Sequence, residues 1–312
     1  MRSGGRGLIS DENEEIPIKL LRKLTKNETI LSLEFIKFDN TLISGNISGV
    51  LDIWDLEIMR CTSSINIGFG SPIIKTIYDD KREIIYVQNR KGEVYLVDQF
   101  ENIRKMNLIG TDYSLAKMII LPRSENVIFP RENDLLLKSL ETSKNEEIIF
   151  NYPTEKSDKL IDIESLNDNS VLLGFESGNV VIWDLRKPDS HAYMNNVTNN
   201  SPILSIKRSF NRLWISSFDS KLRIFNRNCF DYPIKEITSL NVIDKISVRS
   251  DSLITVTSNT INTSMDIFEN KSLERIKTFK FHSTEVSSIQ FSNISNLFAA
   301  SSNTISIWDL LS

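Results

Sequence analysis

The tetrapeptide Ile-Trp-Asp-Leu occurs three times in the chain, at residues 53–56, 182–185 and 307–310. The copies lie 129 and 125 residues apart, so each interval divides into three periods of about 42 residues. Stepping by that period from Trp54 reaches Val97, Lys138, Trp183, Phe225, Phe268 and Trp308, with steps of 43, 41, 45, 42, 43 and 40 residues. Seven units result. A period of this length marks stacked supersecondary units, none of which can bury its apolar faces alone.

Two further features keep the same register. Five residues before each anchor stand Gly49, Gly92, Asn133, Gly178, Ser220, Thr263 and Asn303. All but Thr263 are strong turn formers, and after each turn the apolar residues alternate as in a half-buried strand. The segments SPIIKTI from Ser71 and SPILSIK from Ser201 are 130 residues apart, and proline suits the first position of a strand. Four strands fit into each unit, giving an all-β ring of seven blades. Trp54, Trp183 and Trp308 serve as its anchors, filling the space between neighbours.

The last unit stops directly after Trp308-Asp309-Leu310 and lacks its outer strand, whereas IPIKLLRKL at 16–24 belongs to no complete blade. The expectation is that this N-terminal strand completes the last blade and removes an exposed edge. Residues 1–14 read as a flexible polar tail and 15–312 as a single propeller domain.

A net charge of −4 gives no global basic footprint for direct nucleic-acid binding. No apolar run approaches the roughly 18 residues of a membrane span. The start lacks the apolar segment of a secretory signal, and the two cysteines, Cys61 and Cys229, are expected to be reduced, buried thiols. A nuclear or cytoplasmic compartment follows. Two cysteines and two histidines, widely scattered, offer no metal-ligand pair, and nothing suggests a cofactor.

GNISG at 45–49 and GFESG at 174–178 have the spacing G-x-x-S-G in a strand-turn-strand context, so Ser48 and Ser177 are hairpin residues and not nucleophiles. His282 occupies the register of a structural histidine; His191 has no evident role. What remains is surface. On the turns between second and third strands, Arg90, Lys91, Arg131, Phe175, Phe218 and Lys221 form the candidate protein-docking face, since aromatic and arginine side chains dominate interface hot spots. Phe175 and Phe218 could equally turn inward between blades.

With its three Ile-Trp-Asp-Leu copies, the chain is similar to WD40-repeat propellers over 15–312. Their Gly-His pair and the aspartate that bonds to the Trp through a Ser are nearly gone here, leaving His282 and Asp219 in place. More narrowly, LISGNISGVLDIWDL, LLGFESGNVVIWDLRKP and the closing segment from KFHSTEV onward resemble the ASTRA-associated, G-protein-β-subunit-like protein family. That resemblance implies a non-enzymatic scaffold, monomeric within a larger assembly for chromatin remodelling and kinase maturation. The partners it implies are kinase-maturation co-chaperones, RuvB-like AAA+ ATPases and a phosphatidylinositol-3-kinase-like kinase. Other WD40 adaptors, of substrate-receptor or checkpoint type, and the WD-repeat methylesterase of diphthamide synthesis are the competing readings.

Overall fold

The computed structural model describes residues 18–36, 40–67, 70–108, 114–121, 126–140, 147–152, 158–187, 191–194, 196–209, 211–227, 229–249, 253–258, 264–280, 285–292 and 295–310. The tail at 1–14 and His282 therefore lie outside the described residues. Every regular element within them is a β-strand.

Six sheets are each built from four consecutive strands, over 30–66, 73–105, 119–151, 160–194, 203–238 and 243–280. They are blades 1 to 6 below. A further four-stranded sheet is composite. Ser288–Phe291, Leu297–Ser301 and Thr304–Asp309 supply three of its strands, and Lys19–Thr25 pairs antiparallel along Thr304–Asp309, with Leu20 opposite Trp308 and Thr25 opposite Thr304. The expectation of seven equivalent blades is corrected accordingly: six are continuous in sequence, and the composite sheet joins segments from the two ends of the chain. The physical reason lies in strand order. Thr304–Asp309 is the last strand of its run, so its free edge is paired by a distant segment that the 42-residue period does not count.

The anchors Trp54, Val97, Lys138, Trp183, Phe225, Phe268 and Trp308 all fall in the third strand of their sheets. Each hydrophobic cluster spans two neighbouring sheets, which is why no sheet is stable by itself. Trp54 packs with Ala299, Ile305 and Ile307 of the composite sheet, and its indole N–H donates to Ser44 Oγ at 2.9 Å. Trp183 meets Phe150 of blade 3 edge to face, with centroids 5.5 Å apart. Trp308 stacks on Phe298 and borders the cluster containing Met265 of blade 6. Ile43 and Ile73 join blades 1 and 2, Tyr86 and Met118 blades 2 and 3, Leu172 and Ile203 blades 4 and 5, and Leu222 and Ile243 blades 5 and 6. The ring closes through these seams.

Asp219 takes no part in a tryptophan network. With Phe225 in place of tryptophan, its carboxylate instead accepts from Arg223 Nη2 at 2.6 Å and from Ser217 Oγ at 2.5 Å. Burial, which pushes its pKa up, is outweighed by these donors, and the carboxyl is held below its usual value. Both cysteines are free, but neither is buried: Cys61 is half-exposed and Cys229 exposed.

Candidate docking face and central channel

The turns between second and third strands repeat one construction. At the end of the second strand, Asn46 in blade 1 accepts with Oδ1 from the N–H groups of Ser48 and Val50 at 3.0 and 2.9 Å. Asn89 in blade 2 does the same for Lys91 and Glu93, both at 3.0 Å. Such side-chain bonds satisfy backbone donors that a tight turn leaves open. Gly49, Gly92, Gly178 and Ser220 then take positive φ values of 85°, 80°, 85° and 62°. The turn residues Asn133 and Asn303 do not adopt this conformation. Their turns close differently, through Arg131 N–H to Asp134 O at 2.8 Å and Ser302 N–H to Thr304 O at 3.0 Å.

In blades 1, 2, 4 and 5 one further bond locks the tip to the segment entering the inner strand. The N–H of Ile47 donates to Thr29 O, Arg90 to Pro72 O, Glu176 to Lys159 O and Phe218 to Pro202 O, at 2.8–2.9 Å. These four residues hold one register, and their side chains point away from the sheets. Ile47 is 47% exposed and Phe218 63%, and Arg90 and Glu176 lie at the same position on blades 2 and 4. The link to the next blade carries Leu240, 98% exposed, and is tied to the blade 5 turn by Ser239 N–H to Ser220 O at 2.9 Å.

The six sequence candidates separate on this frame. Arg90, Lys91 and Phe218 are exposed at tips. Arg131 is half-buried and held by Asp134 at 2.5 Å, and Lys221 pairs with Glu236 at 2.5 Å. Phe175 is corrected: it is fully buried and cannot dock a partner. It stands opposite Leu160, the register of Asn46 and Ser217, which is buried in each of these blades. Its ring packs edge to face on Tyr152, at a centroid distance of 5.8 Å. Ile47 and Leu240 escaped the sequence reading because single apolar residues in polar turns carry no periodic signal. Their exposure is visible only with the ring assembled.

The inner strands enclose a channel of about 740 Å3. In blades 1, 2, 4, 5 and 6 a bulge follows the first inner-strand residue, re-aiming the next side chains. After it, one level around the channel holds Ser32, Lys75, Asp162, Ser205, Lys245 and Ser288, each opposite the same second-strand position. Lys117 joins this level from blade 3, two residues before Ile119, which occupies the position of Glu34. Two residues deeper stand Glu34, Glu164 and Lys207.

Lys207 lies 3.5 Å from both Asp162 and Glu164, and its pKa is raised because these two carboxylates outweigh the effect of burial. Burial pushes the Glu164 carboxyl up, with Lys207 opposing. Burial also pushes Glu34 up to about 7, against the pull of Lys75. Lys117 is pushed down to about 8, first by burial and then by the charges of Lys245 and Lys75. Among the described residues, no group of three or more His, Cys, Asp or Glu could hold a metal ion.

Comparison with known proteins fits this geometry. Residues 273–309 match the family model described as WD domain, G-beta repeat. The fold is a β-propeller carrying a WD repeat. Raptor from Chaetomium thermophilum superposes with a TM-score of 0.80 and 12% identity over 94% of the chain, which spans 29% of the Raptor chain. The Cps50 (Swd1) β-propeller domain of Myceliophteria thermophila gives a TM-score of 0.76 and 15% identity, over 94% of this chain and 99% of that domain. At such identities the likeness concerns the fold alone. No curated protein matches the sequence.

Proposed function

We propose that this WD-repeat propeller is a non-catalytic docking subunit whose tip face holds other proteins. The observation that carries the reading is the row of tips at one register, with Ile47, Arg90, Glu176 and Phe218 presented on backbone that is already hydrogen-bonded in place. A pre-ordered backbone costs little conformational entropy on association, and exposed aromatic and arginine side chains are the groups that contribute most at interfaces. Phe218 and Leu240 are the apolar groups this face exposes at blade 5, and Arg90 with Lys91 a basic pair at blade 2.

The finer reading rests on the resemblance of the Ile-Trp-Asp-Leu blades to the ASTRA-associated family. On it, the assembly is of the type that matures phosphatidylinositol-3-kinase-like kinases, the partners are its co-chaperones and RuvB-like ATPases, and the compartment is the nucleus or cytoplasm.

Affinity capture with mass spectrometry tests both levels. The full chain is expected to recover those co-chaperones, and a variant combining Arg90→Glu, Phe218→Ser and Leu240→Ser is expected to lose them while keeping its circular dichroism spectrum. Undiminished recovery by the folded triple variant would refute the tip face. Recovery of an unrelated set of partners by the wild-type chain would refute the ASTRA-type reading.

A further inference from the structure

The lining of the central channel carries five cationic side chains, Lys75, Lys117, Lys207, Arg208 and Lys245, against four carboxylates, Glu34, Asp162, Glu164 and Asp244. On the level of Ser32 it holds three lysines, Lys75, Lys117 and Lys245, against one carboxylate, Asp162. That carboxylate is already engaged, accepting the Ile206 N–H at 2.8 Å and lying 3.5 Å from Lys207. Lys245 is paired with its neighbour Asp244. Lys75 and Lys117 have no hydrogen bond or ion pair among the described residues. Glu34 lies two residues deeper, and burial pushes its carboxyl up to about 7, with the Lys75 charge opposing.

Enclosing like charges in a narrow cavity is costly unless an opposite charge joins them, because the walls exclude the water that would screen them. The cost is visible in Lys117, whose ammonium gives up its proton more readily than an exposed lysine. Burial is the first cause; Lys245, Lys75 and Lys207 add to it, and Asp162 opposes.

We propose that the channel binds a small phosphate-type anion at the level of Lys75, Lys117 and Lys245. Cationic groups arriving from three different blades suit a multivalent anion whose oxygens point in several directions, whereas a carboxylate offers only two. The hydroxyl-bearing Ser205 and Ser288 share the level and supply neutral donors. The cavity, about 740 Å3, falls within the span of small-molecule sites, ~300–1,000 Å3, so the occupant is a small molecule and not a folded segment of a partner. The site stands apart from the docking face, because its lysines belong to the channel wall and not to the tips.

Titration calorimetry on the full chain, at an ionic strength held constant with chloride, tests the site with pyrophosphate as the probe. Saturable binding of one equivalent is expected. Lys117→Met should weaken it by roughly tenfold or more, since a charge-assisted contact is lost, and Lys117→Arg should retain it. With sulfate, whose charge is constant over the range, affinity should fall as the pH rises through about 8, where Lys117 loses its proton. Lys75→Met replaces Lys117→Met should the latter fail to fold by circular dichroism. Heat no greater than chloride gives, an unchanged affinity in both methionine variants, or binding of an acidic peptide in place of pyrophosphate would each overturn the proposal.

Discussion

Blades 4 and 5 turn with nearly the same words, Gly-Phe-Glu-Ser-Gly at 174–178 and Ser-Phe-Asp-Ser-Lys at 217–221, yet one phenylalanine is core and the other surface. Phe175 is the last residue of its second strand, opposite Leu160; its structural equivalent in blade 5 is Ser217, opposite Ile203. Phe218 instead matches Glu176, as their identical backbone bonds to Pro202 and Lys159 show. The two motifs are offset by one residue. Because a strand alternates its faces, one residue suffices to turn a ring from the seam between blades to the solvent. Each turn compensates in its own way. In blade 4, Asp158 takes the Ser177 N–H at 2.9 Å and its hydroxyl at 2.6 Å. In blade 5, Asp219 serves Lys221 N–H and the buried Arg223.

The contrast yields graded tests by chemical denaturation. Phe175→Ala should cost the most, about 3–5 kcal/mol, the range for a large aromatic removed from a packed core. A loss under 1 kcal/mol would mean that the seam between blades 3 and 4 does not depend on it. Gly178→Ala comes next, at about 2 kcal/mol or more, the upper end of the left-handed backbone penalty with a steric clash added to it. There φ is +85°, and an added Cβ would meet Thr198 Oγ1 at 2.2 Å and Ser201 O at 2.8 Å. Ser220 already carries a Cβ in the equivalent left-handed position, so Ser220→Gly should change stability far less than Gly178→Ala. Smallest is Phe218→Ala, expected within about 0.5 kcal/mol of wild type because its ring is mostly in solvent. A larger loss would place that ring in the core and remove it from the docking face.

Much of the fold was legible because the tryptophans and their apolar substitutes recur at the period of one sheet. Trp54, Trp183 and Trp308 announce third strands, and even Lys138, which has no aromatic character, falls where the spacing demands. Turn chemistry was legible where glycine was used, at Gly49, Gly92 and Gly178, and misleading at Asn133 and Asn303, since asparagine tolerates positive φ without requiring it. The docking face was half legible. Polar tip residues such as Arg90 and Lys91 are exposed wherever the turn lies, whereas an aromatic one-residue offset is decided by cross-strand pairing. The channel was not foreseen at all: Lys75, Lys117 and Lys245 are scattered over 171 positions and meet only when the inner strands are arranged in a ring.

Alternating apolar residues, turn formers and a 42-residue period were enough, without coordinates, to specify an all-β chain of stacked four-stranded units, because these are local properties of the backbone and its neighbours. Which phenylalanine faces water and which charges share the channel were settled only in three dimensions. Those outcomes depend on contacts between residues far apart in sequence, and such contacts exist only once the ring has closed.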